Sequence, residues 1–292
     1  MRLLSGMQLP GRWQGMIALT LVVCGLVMIQ GASPLSGSVE GIAQFSPDGS
    51  VLQVGEELEY KVTYSFFNLG TIRFRITDKF DRNGRTVYTA HSWIDSNPSL
   101  PFVDLHIRFI SEIDQEMFSY SWFADDSTKS EIVSRFFSFE YDSNRVIVER
   151  ARRKFDGPKN VEKVDTFAVT DKIQDGLSLF FYAREHVRQK REMVVPTFID
   201  NKQVNTIINF MNKREEEEVA AVEYPIDVVY FDGRMDYEGV FGLTGYFEGW
   251  FSNDSARVPI IAKMKVILGS VKIQLRKWNR NGWQPPRFEN EG

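Results

Sequence analysis

The chain has 292 residues, with 35 Lys plus Arg against 39 Asp plus Glu, 43% hydrophobic and 13% aromatic residues, and one cysteine. A formal charge of −4 argues against nucleic acid or a strongly anionic membrane surface as the main partner, and the composition is that of a folded chain rather than a disordered one. A lone cysteine excludes an intrachain disulfide framework and multi-cysteine metal sites.

Residues 1–32 contain Arg2 and Arg12, no acid, and an apolar run from Met16 to Ile29, followed by Gly31, Ala32 and Ser33. A basic start, a short apolar middle and a small-residue exit form the pattern of a secretory signal, and the run is shorter than the ~20 residues of a spanning helix. The alternative is an uncleaved N-terminal anchor; either way the chain is expected to be exported to the periplasm or outer envelope. Cys24 sits inside the run after Leu21, Val22 and Val23, whereas a lipid-acceptor cysteine follows a small residue, so it reads as a small hydrophobe. The mature part then has no thiol, and without Arg2 and Arg12 its balance is 33 basic against 39 acidic residues, or −6. Residues 33–50, rich in Gly, Ser and Pro, read as a flexible leader. Residues 51–280 are expected to form a single mainly-β domain large enough to bury its own core, and residues 281–292 a C-terminal tail.

From Val54 to Thr77 apolar and polar side chains alternate. Leu58, Tyr60, Val62, Tyr64 and Phe66 fall on one side of a strand; after a turn at Asn68-Leu69-Gly70, Ile72, Phe74 and Ile76 resume the pattern, predicting a hairpin with one dry face. Asp81-Arg82-Asn83-Gly84 is a hairpin signal before a strand over 86–94, and Asp142-Ser143-Asn144 separates strands over 136–141 and 146–150. Further strands are expected over 106–113, 118–123, 161–169, 203–211, 218–224, 228–235, 245–252, 257–268 and 270–278. Between Asp171 and Glu192 the period changes. Ile173, Leu177, Phe180, Phe181 and Val187 recur at helical spacing, Asp171 or Asp175 can cap the start, and Arg188, Lys190 and Arg191 suit the end. The expected fold is mainly β: a curved antiparallel sheet, a half-barrel or open barrel, packed around one amphipathic α-helix.

Chemistry is sparse. His91, His106 and His186 show no metal-ligand spacing, and there is no nucleophile elbow, phosphate loop or dinucleotide fingerprint. Asp125-Asp126, read as a turn after Trp122 and Phe123, and the run Glu215 to Glu218 are expected to be solvated turns and a charged edge, without the spacing of a calcium loop. No catalytic residue, cofactor or metal is assigned. The aromatic stretch Gly245 to Asp254 suggests a site. Phe247 and Phe251 share one side with Gly249 between them, and Trp250 is expected partly exposed on the other. The gap at Gly249, with Trp122, Phe180, Phe181, Phe247 and Trp250 around it, would open a groove for an apolar ligand such as a lipid.

Three stretches carry a resemblance: GEELEYKVTYSFFNLG from Gly55 to Gly70; DGLSLFFYAR from Asp175 to Arg184; and WFSNDSARVP from Trp250 to Pro259, followed by LGSVKIQL from Leu268 to Leu275. In their order and spacing they resemble the family catalogued as domain of unknown function 3108 (DUF3108), over about residues 50 to 278. The resemblance implies an exported bacterial envelope protein with a curved antiparallel sheet around one helix, and it brings no catalytic residues. Such a shape is similar to half-barrels that carry lipoproteins across the periplasm, a fold-level analogy for handling hydrophobic ligands. The acidic stretch around Glu215 is not part of the pattern. Three functions are therefore weighed: a non-enzymatic binding or carrier module for an apolar ligand, an envelope interaction or assembly protein without a cavity, and an Asp/Glu-dependent glycan hydrolase. Unfilled space between Phe180 or Phe181 and the sheet would favour the first.

Overall fold

The structure, a computed structural model, describes residues 51–100, 104–128, 130–199, 201–235, 243–266 and 269–290. The expected signal or anchor, Cys24 and the leader lie outside the described residues. The N-terminal alternation produces its hairpin: β1 (Glu57–Tyr64) pairs antiparallel with β2 (Phe67–Arg82), burying Leu58, Tyr60, Val62, Ile72, Phe74 and Ile76 on one face. The turn comes earlier than expected. Tyr64 pairs with Phe67, so Ser65 and Phe66 are the loop, and Phe66 is 84% exposed instead of joining the dry face. Gly70 lies inside β2 beside a bulge, where a Cβ would sit 2.2 Å from the Asp95 carbonyl oxygen; that close approach requires glycine there, not a turn.

A meander continues through β3 (Arg85–Ser96), β4 (His106–Asp114), β5 (Ser119–Ser127), β6 (Glu131–Glu140), β7 (Arg145–Lys154) and β8 (Asn160–Ala168). Helix α1 (Gly176–His186) follows, and then a second meander of β9 (Arg191–Ile199), β10 (Lys202–Glu217), β11 (Ile226–Met235), β12 (Leu243–Ser252), β13 (Pro259–Val266) and β14 (Ser270–Asn279). β14 pairs antiparallel with β1, joining the two into one 14-stranded sheet of order β8-β7-β6-β5-β4-β3-β2-β1-β14-β13-β12-β11-β10-β9. Turn chemistry explains the corners. Asn83 and Gly84 both take positive φ, as a type I′ hairpin turn requires, and Asn144 takes a left-handed conformation after a short 3-10 turn over Tyr141–Ser143.

The sheet's end strands, β8 and β9, do not pair with each other, so no hydrogen-bonded barrel closes. The seam is nevertheless packed. Phe198 of β9 meets Phe137 and Phe139 of β6 and Phe167 of β8 at ring distances of 5.2, 6.2 and 5.8 Å. The segment before the helix lies along β9, where the Gln174 N–H donates to Pro196 O at 2.9 Å and the Phe198 N–H to Gln174 O at 2.8 Å.

Several expectations change. The helix is shorter than the window 171–192, and eight of its eleven residues are buried, so it is enclosed on most sides rather than amphipathic along one stripe. The residues after it, expected to be its basic end, turn through Lys190 at φ 51° into β9, which the sequence reading missed. Pro196 marks β9 as an edge strand, where a missing N–H costs no ladder bond. Residues 218–224, read as a strand, form the loop between β10 and β11. Asp125 and Asp126 are not in a turn but in β5, 6% and 7% exposed. Asp125 accepts from Arg108 at 2.8 Å and from Ser134 at 2.6 Å, which keeps the buried charge satisfied. The C-terminal residues dock too: Asp227 N–H donates to Pro286 O and Phe288 N–H to Pro225 O, both at 2.9 Å.

Candidate functional site

Two features meet at the helix. One is an apolar, partly open cavity of about 80 Å³ between Phe180 and the inner faces of β1, β2 and β10 to β14. Phe180 stacks on Phe74 with centroids 4.6 Å apart and planes at 15°, and Phe231, Phe247, Phe251 and Met264 supply much of the remaining wall. The carboxylate nearest this wall, Glu248, accepts from Tyr230 on the other face of the sheet at 3.3 Å. Tyr60, also at the wall, donates its hydroxyl to Pro259 O at 3.0 Å. Burial pushes that phenol well above its ordinary pKa, against the pull of Arg184, so it stays a neutral donor.

Gly249 lines this cavity but does not open it. In the β11–β12 ladder Phe231 pairs with Gly249 and Gly233 with Phe247. A Cβ at Gly249 would lie 2.3 Å from Phe231 Cζ, and one at Gly233 2.4 Å from Phe247 Cζ. Each ring lies across the opposite glycine, so the gap expected in the sequence is occupied by an aromatic neighbour. Phe181 turns away, 1% exposed, with its ring edge-on to Phe180 and the Arg184 guanidinium 5.5 Å from its centroid. Trp122 packs elsewhere in the core, stacked between Phe109 at 5.6 Å and Phe137 at 4.5 Å. Trp250 points to the outer face, as the alternation predicts, but is 4% exposed rather than partly exposed. Its Nε1–H donates to Glu215 at 2.7 Å and Lys263 lies 4.4 Å over its ring, so the acidic stretch has a packing role. Of the six groove residues, Phe180, Phe247 and Gly249 meet at the cavity, and Trp122, Phe181 and Trp250 do not.

The second feature is a buried polar network that pins α1 at both ends. At its start Asp175, 1% exposed, accepts from the backbone N–H of Leu177 at 2.6 Å and Ser178 at 2.9 Å, and from the hydroxyls of Ser119 at 2.6 Å and Ser111 at 3.0 Å. The Ser178 hydroxyl accepts from the Asp175 N–H at 2.9 Å, which completes a reciprocal cap. Burial pushes the Asp175 carboxyl up, while these donors pull it down. At the other end Arg184 is fully buried. Its two terminal nitrogens grip Glu56 at 2.7 and 3.1 Å, and it donates to Ala256 O and Arg257 O, both at 3.1 Å. Arg280 also pairs with Glu56. The carbonyls are aimed by Asp254, whose Oδ1 accepts from Ser252 Oγ at 2.8 Å and from the N–H groups of Ala256 and Arg257 at 3.0 Å, while its Oδ2 accepts from Trp283 at 2.7 Å. Glu56, Asp175 with Arg184, and Ser252 with Asp254 come from the three stretches that carry the family resemblance. They converge on one helix.

A family model described as protein of unknown function (DUF3108) matches residues 59–276. The chain belongs to the DUF3108 family. No curated protein matches it. Among solved structures, a beta-barrel-like protein of domain of unknown function DUF1849 from Brucella abortus is similar at 10% identity and a TM-score of 0.48, over 77% of this chain and 97% of that one. A Bacteroides fragilis protein with a YmcC-like fold has 7% identity and a TM-score of 0.32, over 78% and 97%. A lipoprotein candidate from Parabacteroides distasonis has 10% identity and a TM-score of 0.33, over 78% and 96%.

In this DUF3108 chain the polar anchors of the helix escaped sequence reasoning as a set, although Asp175 was named as a cap. The spacing of Asp175, Ser178 and Arg184 places them on α1, but Glu56, Ser111, Ser119 and Asp254 are brought to it only by long-range pairing. Two of the histidines pack against aromatic rings and the third lies beside an exposed aspartate. His91 stacks on Trp93 at 5.4 Å, His106 Nδ1 lies 2.8 Å from Asp95, and His186 stacks on Tyr182 at 4.0 Å.

Proposed function

We propose that this protein is an exported, non-enzymatic module of the bacterial envelope that binds one end of an apolar ligand, such as an acyl chain, in the cavity beside Phe180. The supporting observation is the unfilled apolar space between Phe180 and the sheet, the feature that separates a binding module from an assembly protein without a cavity. The basic, apolar and small-residue order of residues 1–32 supports export. The volume limits the ligand. At about 80 Å³ the cavity is smaller than the roughly 150 Å³ space that accepts benzene in an engineered core, so it admits the end of a chain and the remainder runs out through the open side. Binding is apolar in character, since the walls are mainly Phe, Ile and Met, and transfer of methylenes from water supplies about 0.8 kcal/mol each.

Titration with a fluorescent fatty acid tests this reading, together with mass spectrometry of lipids released from protein extracted without detergent. Saturable binding is expected, and Ala262→Leu should abolish it by placing an isobutyl group in the cavity lined by Ala262. Absence of saturable binding by the wild type, or equal binding by Ala262→Leu in a folded protein, refutes it.

A further inference from the structure

The tip of the β1–β2 hairpin departs in two ways from what folding alone favours. Ser65 holds φ +52°, and it is the first of two loop residues, the position that glycine ordinarily takes when only that residue is left-handed. Phe66 is 84% exposed and Phe67 49%, with their rings 4.2 Å apart. A strained turn that lifts two phenylalanines out of the core adds little to stability and keeps apolar surface in water, a local conflict typical of a binding surface.

The ground nearest the tip is sparing in charge, with Asp104, which lies beside His106, the charged residue described in the β3–β4 connection. The β3–β4, β1–β2 and β13–β14 connections are consecutive along one end of the sheet, and the described residues 64–70, 96–100 and 269–271 contain no Asp, Glu, Lys or Arg. Asn97 ties two of these connections together, donating its N–H to Leu69 O at 2.8 Å and its side-chain amide to Asn68 O at 3.0 Å. Leu69 and Leu100, in and beside these connections, are half-buried. The opposite end differs: its β2–β3 turn is framed by Asp81, Arg82 and Arg85.

We propose that the Phe66-Phe67 tip inserts into the interfacial layer of a lipid bilayer and holds the folded domain at the membrane surface. A protein partner would have to supply a socket for a convex two-residue tip, whereas a bilayer closes around any protruding apolar group. The apolar run Met16 to Ile29 brings this same chain to a membrane during export, whether it is then cleaved or kept. The exported part carries a formal −6 and the three connections carry no cations, so the attraction is hydrophobic and needs no anionic lipid. The proposal goes beyond the cavity reading and stands whether or not the cavity takes a ligand.

The test places the photo-reactive residue p-benzoylphenylalanine at Phe66 of the full chain, mixed with phosphatidylethanolamine and phosphatidylcholine vesicles and also expressed in cells. The same residue at Asn83, in the hairpin turn at the other end, is the control. Because Phe66 is exposed, the substitution leaves the core intact. Position 66 should give at least about tenfold more lipid adduct than position 83, the factor expected when one Phe side chain leaves water, and raising the salt concentration should not lower it. Equal adduct at the two positions, no lipid adduct at position 66, or a discrete protein adduct there in cells would each overturn the proposal. A retained N-terminal anchor does not confuse the result, since the chain enters β1 at the end of the hairpin nearer Asn83, and the anchor would therefore favour adduct at position 83, not at position 66.

Discussion

Removing the guanidinium of Arg184 is expected to destabilise this protein more than most single changes. Arg184 is fully buried and makes four hydrogen bonds, two to Glu56 and one each to the carbonyls of Ala256 and Arg257. Arg184→Met leaves the Glu56 carboxylate, 3% exposed, with Arg280 as its remaining ion-pair partner, and leaves two carbonyls that lose a donor. Breaking a buried pair from one side costs about 3–5 kcal/mol, and the remaining Arg280 pair limits the loss here to about 3–4 kcal/mol. In urea unfolding followed by tryptophan fluorescence and circular dichroism, the midpoint should fall by about 1–2 M at the slopes usual for such domains. The pairing itself is isolated by a double-mutant cycle. Glu56→Gln is also destabilising, but Glu56→Gln with Arg184→Met should cost at least about 1.5 kcal/mol less than the sum of the single changes. If the two changes add within about 0.5 kcal/mol, or if Arg184→Met costs less than about 1 kcal/mol, then the ion pair does not anchor α1 and the account of the network fails.

Three other perturbations have defined outcomes. Gly249→Ala forces a methyl into Phe231 and should destabilise by about 1–3 kcal/mol, with Phe231→Leu recovering part of the loss; calorimetry of the three variants checks it, and a neutral Gly249→Ala would refute the ring-over-glycine packing. Asp175→Ala removes the cap and two buried hydroxyl partners and should cost about 2–4 kcal/mol, while Asp175→Asn keeps an acceptor and should cost at least about 1 kcal/mol less; equal losses would show that the charge, not the acceptor, matters. Burial lowers the pKa of His186 to about 4 from an ordinary value of 6.5, so between these values the unfolded chain binds the proton and the native protein resists it. Stability from this group is therefore fully present above pH 6.5 and is lost as pH falls toward 4, by up to about 3 kcal/mol. Chemical denaturation at a series of pH values should show that His186→Gln flattens this slope relative to the wild type, and an unchanged slope would place the titration elsewhere.

What was legible in the chain followed from periodicity and turn chemistry, because these are local. Alternation at Leu58, Tyr60 and Val62 marks a dry strand face wherever the strand pairs, and Asn83-Gly84 favours its turn without help from distant residues. β9 was missed because Pro196 reads as a stop signal, and only the knowledge that β9 is an edge strand makes a proline acceptable there. The candidate site was half legible. Phe180, Phe247 and Gly249 meet at one cavity, but Trp122 and Trp250 have identical chemistry and face other surroundings, which are set by the register of β5 with β6 and by the cover that Glu215 gives from β10.

Sequence alone determined most of the antiparallel strands, the capped helix between two runs of them, and the family motifs, since each depends on neighbours a few residues apart. Tertiary structure decided that β14 returns to β1, that Phe231 fills the space beside Gly249, and that Glu56 reaches Arg184 across 128 positions of chain. The physical reason is that a buried charge or an unfilled volume is defined by what surrounds it, and those surroundings are assembled from segments whose order in space a linear pattern does not encode.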